Sequence, residues 1–502
     1  MAAVRIHFML VALIAMAFVW TCYLLSGYAA MEVRGTLTRT ETMHQFVSVS
    51  SPSMMPANAA SGLALAASPV SNTVIVAVAN FYGGSIIYRL DTAGTTLSST
   101  NVMELNTRAA HDFEAVDLRP NGPVMLVGAE YDGDATLVYT FVEDPNAKQA
   151  TLAGWPKCDD SDGLACASWA KAGECVHNPS FMHQSCPKAC GRCKALHGPV
   201  RAVQALESAG GTSARHIHVS GRDLLVVANY KAPEGQAIGI YEWRREASEW
   251  AWSTHIAVAG AGEFAHCHVA ETGEDLLVIS TWFANNSFSA SSWVYHIKAT
   301  PDPAGGLSFE PRQALPTEGS HDAECFTSRA GQTILVLANG RRDDGTRDVA
   351  SAVYTYNAQE GRFVETQRLP TVAAHDVELI KMGTSRLAVV SNGASWRDGK
   401  EVCDNRVSIF RWDETRRRFA PFQELDAGGC TTFSRAWHVR SGNGSSEGRT
   451  LLAVAVERLA NGSFSGGVAF FEWRTELRTV VSRSGAGDEL MGRDYLRAEI
   501  IV

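Results

Sequence analysis

Polar and apolar positions alternate along this chain in short runs, and one stretch sets the pattern for the rest. Ala374–Leu425 opens on Ala374–His375–Asp376–Val377–Glu378–Leu379–Ile380, an alternation of period two. Leu387–Asn392, Val407–Trp412 and Phe419–Leu425 follow, each rich in β-branched or aromatic residues and bounded by Gly, Asp, Asn or Arg-rich turns. Such runs read as strands. Four of them in roughly 50 residues make one antiparallel sheet, too small to bury both of its faces alone.

The unit recurs. Its second strand returns as Val74–Asn80, Val124–Ala129, Leu224–Asn229, Leu276–Ser280, Ile334–Asn339 and Leu451–Val456. Its third returns around pairs two apart: Tyr88/Leu90, Tyr139/Phe141, Tyr241/Trp243, Tyr295/Ile297, Tyr354/Tyr356, Phe410/Trp412 and Phe471/Trp473. That spacing puts both members of a pair on one sheet face. The fourth strand carries a glutamine before an apolar residue at Gln204, Gln313, Gln367 and Gln423. Seven copies at a period of roughly 50–60 residues predict an all-β fold closed radially as a seven-bladed β-propeller. A solenoid is the alternative, but no repeat has the character of a cap.

With polar first strands containing Ala–Asp, "LVVAN" second strands, "IYxW" third strands and "FQ-L" fourth strands, the repeat resembles the EAR repeat, also called EPTP or epitempin. The resemblance covers residues 58–475 less one insertion. It is strong over blades 5 to 7 and weak in blade 1, where Ser61–Ala66 lacks the polar first strand. It implies an extracellular propeller that binds proteins.

The insertion interrupts blade 2 between Phe141 and Gln204. Cys158, Cys166, Cys175, Cys186, Cys190 and Cys193 fall within it, a density that reads as a disulfide microdomain or as metal ligands. Zinc is disfavoured because two separated C-x₂-C pairs are lacking. Spacing alone leaves the pairing of six cysteines open. Residues 157–194 resemble the ShKT domain through these cysteines and through Trp169–Ala170, Gly173–Glu174, Asn178–Pro179 and Met182. The resemblance implies bonds Cys158–Cys193, Cys166–Cys186 and Cys175–Cys190. Channel-blocking members carry a Lys–Tyr pair where this chain has Ser180 and Phe181. Without that cation a pore has no plug, so an adhesion or positioning role is expected instead.

Residues 1–30 hold the uncharged apolar run Phe8–Leu25, with Trp20 and Tyr23 placed as interface residues. A signal-anchor or a cleaved signal peptide is expected, and either delivers the chain to the secretory pathway. The expected product is a single-pass type II membrane protein with its body outside, or a secreted one. Residues 31–57, polar and unpatterned, read as a stalk, with Phe46–Ser50 a candidate strand for closing the ring. Residues 476–502 read as a charged, then apolar tail. Sequons at Asn285, Asn443 and Asn461 suit the same compartment. Of the remaining cysteines, Cys403 and Cys430 are candidates for a bond, while Cys267 and Cys325 are expected as small buried thiols.

The net charge of −9 argues against nucleic acid as a partner, and a composition 46% hydrophobic and 19% charged is ordinary for a β-rich domain. Candidate chemistry is confined to the first strands. Aligned on the following apolar residue, their last polar position reads Glu114, His218, His268, Glu324, Glu378 and His438, preceded two residues earlier by Asp112, His216, His266, Asp322 and Asp376. Three roles compete for this inner ring. The favoured one is structural, with buried polar groups bonded to the adjacent blade. The second is a Ca²⁺ ion on the axis held by Asp112, Asp322 or Asp376. The third is catalysis by His/Asp pairs, which the repetition disfavours because an active site needs distinct acid and base. The expectation is a cell-surface or extracellular recognition or adhesion protein for a protein or glycan partner, with no catalytic residues. The alternative is an enzyme of the axial pocket with the ShKT segment as a targeting module.

Overall fold

A computed structural model describes residues 37–49, 55–67, 74–91, 98–142, 160–174, parts of 182–190, and 199–482, with short breaks at 121, 134, 161–162, 233–236, 300–305, 404–405 and 440–448. Phe46–Trp473 form one compact unit, and residues 1–45 with 474–502 form a second. The expected apolar span at residues 1–30 lies outside the described residues. Among those described, no helix is long and apolar enough to cross a membrane.

The larger unit is a seven-bladed propeller. Blades 1 to 7 span Ala60–Leu105, Ala110–Glu207, Gly211–Ile256, Ala261–Pro316, Ser320–Leu369, Ala374–Leu425 and Gly429–Ser482. The first six are four-stranded antiparallel sheets; the seventh joins its three strands to Leu37–Ser48 and the short Met55–Pro56, and the first strand of each blade packs against the first strands of its two neighbours. The second strands are buried on both faces between neighbouring blades. That is why Val74–Asn80, Ile334–Asn339 and Leu451–Val456 are unbroken apolar runs. The outer strands alternate instead, as in Glu249–Ile256.

The asparagine that closes several second strands has a specific task. The side-chain oxygens of Asn80, Asn229, Asn339 and Asn392 accept the backbone N–H of Asn58, Ala209, Glu318 and Val372, in the turn entering the same blade. Three of their amides also donate to carbonyls ahead of the third strand: Gly84, Ala350 and Arg406. One side chain thus pins both ends of a blade's upper edge. In blade 2 Glu130 takes that place and accepts from the N–H of Arg108, and burial pushes its carboxyl up to about 8.

The fourth-strand glutamines join the blades. In each of these strands a β-bulge precedes the glutamine, between Ala202 and Gln204 and opposite the steps Val294/Tyr295, Val353/Tyr354 and Ile409/Phe410, and it turns the side chain toward the next blade. Gln204, Gln313 and Gln367 donate to the carbonyls of Trp250, Phe363 and Phe419 and accept the N–H of the same residues. Gln423 does likewise to Phe46, donating at 2.7 Å and accepting at 2.9 Å. Phe46 therefore occupies in blade 7 the place that Trp250, Phe363 and Phe419 occupy in theirs. Among the described residues the first strand, Leu37–Ser48, pairs with the last, Gly467–Ser482, and closes the ring.

This strand begins well before Phe46, so residues 37–48 of the expected stalk are β-structure. The last strand runs to Ser482, into the expected tail. In the smaller unit His44 Nδ1 and Thr475 Oγ1 lie 3.0 Å apart.

Of the inserted segment, Gly163–Lys171 is helical, and Cys166, Met182 and Cys186 form its small buried core. The Asp160 carboxylate accepts the N–H groups of Lys188 and Ala189. The segment separates Ala135–Phe141 from Val200–Glu207, two strands paired with each other.

Candidate functional site

Strand register orders the polar residues on the propeller axis into levels. Asp112, Ser213, Asp322 and Asp376 stand opposite Ala129, Ala228, Ala338 and Ser391, and the Glu263 position in blade 4 falls at the same height. Two residues lower, Glu114, Arg215, Glu324, Glu378 and Arg435 stand opposite Val127, Val226, Val336, Val389 and Ala453. This corrects the alignment read from sequence, which matched His216 and His266 with the aspartates. Those histidines lie lower, toward the hairpin that leads to the second strand. Every first strand carries a register shift near its start, and the shift hides the true correspondence from a count along the chain.

The carboxylates work as clasps between blades. Asp322 accepts the N–H of Val377, and Asp376 accepts the N–H and Oγ–H of Ser434. Glu378 and Glu114 accept the N–H groups of Ala436 and His216. Two arginines, unforeseen in the sequence, supply the counter-charge. Arg435 lies 2.9 Å from Asp376, 3.6 Å from Glu378 and 4.0 Å from Glu263, while Arg215 is bonded to Glu324. Burial opposes the charge of Arg435, but the acids around it prevail and hold the guanidinium well above its usual range.

Acids outnumber cations here. Burial, the largest influence, pushes Asp112 up to about 8. Burial with the nearby Asp376 charge raises Asp322 to about 7. Asp376 and Glu378 are raised by burial, and Glu263 is raised well above the carboxylate range by burial and then by Asp322. Near neutrality part of this cluster holds protons. Glu263, Asp322 and Asp376 each offer an oxygen within 4.8 Å of the others, and Asp112 Oδ1 is buried with no hydrogen-bond partner among the described residues. The residues expected to share an axial cation are thus brought together, with Glu263 in the trio and Asp112 beside it.

Above the acids opens a cavity of about 270 Å³. Its floor includes Glu263 and three histidines, His111, His321 and His375, that the sequence reading passed over. Trp282 stacks on His321 at 3.8 Å, and His321 on His375 at 4.1 Å. Burial and the neighbouring imidazoles keep His321 well below its usual range, and burial holds His375 down to about 4. Both are neutral, flat surfaces. The rim is aromatic: Phe81, Tyr82, Tyr131 and Tyr230, one or two residues past the second strand of their blades, with Phe81–Tyr131 at 6.1 Å and Tyr131–Tyr230 at 5.8 Å. Lys231 lies over Tyr131 at 3.9 Å. The signal was present in the sequence as an aromatic following the "AN" or "AE" that ends the second strand of blades 1 to 3.

Four further histidines form two matching groups at the lower end. His216 and His218 both bond Asp223, and His266 and His268 both bond Asp275.

Among the cysteines, Cys166 is bonded to Cys186 and Cys403 to Cys430, and Cys190 is also in a disulfide. Cys158, Cys175 and Cys193 lie outside the described residues. Cys267 and Cys325, expected as free thiols, are bonded to each other with a Cα–Cα distance of 5.4 Å. By register they sit one residue apart in height on the first strands of blades 4 and 5, a diagonal that the sequence alignment concealed. Asn285 and Asn461 are exposed in loops, and Asn443 lies outside the described residues. The loops at Phe283–Asn285 and Arg341–Asp344 meet: Asp343 accepts from Ser287 Oγ and from the N–H of Phe288, and Arg341 lies over the Phe288 ring.

Residues 157–193 match the ShK domain-like family. The chain is thus an all-β seven-bladed propeller that carries an ShK domain. It is 27% identical over 275 residues to the thrombospondin-type laminin G domain and EAR repeat-containing protein of Mus musculus, covering 43% of this chain and 39% of that protein. The chain thus spans well under half the length of this curated relative. Among solved structures, proteins of Bacteroides uniformis and Bacteroides fragilis described provisionally as 6-phosphogluconolactonases share 13% and 12% identity. They cover 73% and 77% of this chain and 86% and 95% of their own, with TM-scores of 0.42 and 0.43. A likeness at that level says nothing of activity.

Proposed function

We propose that this chain is a non-catalytic recognition protein of the cell exterior, built of EAR/EPTP repeats, which holds a protein or glycan partner at the aromatic mouth of its propeller. The observation that carries this is the division of labour along the axis. The axial carboxylates clasp the N–H groups of the next blade, and above them lies a shaped cavity with a rigid aromatic rim. Aromatic rims around a concave site supply contact area at little entropic cost. The ShK domain in blade 2 acts as a positioning module, and the N-terminal apolar segment holds the protein at the membrane or directs its secretion. Disulfides in the ShK domain and the propeller support an oxidising compartment.

Glu263, Asp322 and Asp376, all oxygen donors, suit a hard cation such as Ca²⁺, which would replace protons on the cluster and stiffen the inner ring. A second reading, an enzyme of the axial pocket, is favoured by Glu263, an acid whose carboxyl burial and Asp322 raise well above the usual range at the cavity floor.

The test is binding of the secreted full chain to cell surfaces and to a glycan array, with Tyr131→Ala/Tyr230→Ala and Glu263→Gln as variants. Loss of binding in the rim variant with stability unchanged is expected. Binding that survives the rim variant, or a turnover that disappears in Glu263→Gln, would overturn it. Ca²⁺-dependent stabilisation lost in Asp322→Asn tests the cation separately.

A further inference from the structure

At the lower end of the axis the first strands of blades 3 and 4 carry the same motif. His216–Ile217–His218 and His266–Cys267–His268 place two imidazoles on one face of each strand, two residues apart. Opposite the second histidine of each pair, on the second strand of the same blade, stands an aspartate: His218 faces Asp223 and His268 faces Asp275. Asp223 Oδ1 receives His216 Nε2 at 3.2 Å and His218 Nδ1 at 2.8 Å. Asp275 Oδ1 receives His266 Nε2 and His268 Nδ1, each at 3.0 Å.

These bonds decide the tautomers. A carboxylate accepts, so His218 and His268 carry their proton on Nδ1 and present the Nε2 lone pair on the far side of the ring. Neither Nε2 has a hydrogen-bond partner among the described residues, and the two side chains are 58% and 61% exposed, while their aspartates are largely covered. A buried carboxylate that orients an imidazole and raises its basicity is the outer shell of many histidine-bound metal sites. Here it occurs twice at equal height on adjacent inner strands, which lie in contact. A wall that served only packing would not need both outer rings left open to solvent.

We propose that His218 and His268 bind a borderline divalent transition ion, Zn²⁺ or Cu²⁺, through their Nε2 atoms, with Asp223 and Asp275 as the carboxylates behind them and water completing the coordination. Imidazole nitrogen selects such ions over Ca²⁺ and Mg²⁺, which take oxygen. The site is distinct from the oxygen cluster higher on the axis, and it does not depend on the rim's being a binding surface.

The experiment is calorimetric titration of the secreted full chain with ZnCl₂ and CuCl₂, and metal content after dialysis. The variants are His218→Ala, His268→Ala, both together, and Asp223→Asn/Asp275→Asn. The exposed histidines can be removed without disturbing the core, and unchanged urea midpoints in metal-free buffer confirm it. One equivalent of ion is expected, abolished in the double histidine variant and weakened about ten- to a hundredfold in the aspartate variant. Cu²⁺ bound to the wild type should show nitrogen hyperfine structure in its electron paramagnetic resonance spectrum, lost with the histidines. Absence of binding to the wild type, or binding that persists undiminished in the double histidine variant, would overturn the proposal.

Discussion

Gln423 is the residue on which closure of the ring can be tested most directly. Its amide donates to Phe46 O at 2.7 Å and accepts Phe46 N–H at 2.9 Å. Phe46 is 2% exposed and meets Trp473 edge-to-face at 5.0 Å, so the freed peptide groups have little water to turn to. Gln423→Ala removes two hydrogen bonds, each with a net value of about 0.5–1.5 kcal/mol, and leaves one donor and one acceptor unsatisfied; a loss of about 2–4 kcal/mol follows. Gln367→Ala is the control, because it removes the same pair of bonds to Phe419, at 2.7 and 2.8 Å, inside the ring. Urea denaturation should show similar losses for the two. Hydrogen exchange should differ: only Gln423→Ala should accelerate the amides of Phe46–Val49, since only there does the clasp hold the strand that closes the ring. A loss below about 0.5 kcal/mol in Gln423→Ala, or unchanged exchange in that strand, would refute the role given to the glutamine.

Replacing Arg435 by Met leaves Asp376, Glu378 and Glu263 facing one another without their cation, and should destabilise the propeller by about 3–5 kcal/mol at pH 8 and by less at pH 5, measured by denaturant midpoints. Asp112 and Asp322 have folded pKa values raised to about 8 and about 7, above the 3.8 of an ordinary aspartate. The folded state then binds more protons than the unfolded one between those limits, so their contribution to stability should fall as pH rises from about 4 to about 8. Asp112→Asn should flatten that slope, and a slope of opposite sign that vanishes in the variant would contradict the assignment. Breaking Cys267–Cys325 with a double serine variant opens a loop 58 residues in span and should cost about 4 kcal/mol on the chain-entropy estimate, read as a lower thermal midpoint.

The chain by itself determined the blades. Alternation within strands, unbroken apolar runs in the second strands and paired aromatics in the third are local properties, and the seven sheets stand where those runs stand. The cysteine cluster marked the ShK domain in the same way, since its motif is contiguous. Tertiary structure alone decided what meets on the axis. Residues there come from different blades, and bulges near the start of the first strands shift the count, so His216 and His266 looked equivalent to Asp112 although they lie lower. Arg215 and Arg435 drew no notice as isolated cations among many; only the closed ring sets Arg435 against Asp376, Glu378 and Glu263 and Arg215 against Glu324. Phe46 stands between the two cases: the chain marked Phe46–Ser50 as a candidate closing strand, but only the fold pairs it with a glutamine 377 positions away. Strand identity follows from neighbours in the chain, whereas axial chemistry follows from neighbours in space, and no periodicity along one strand carries the register between seven.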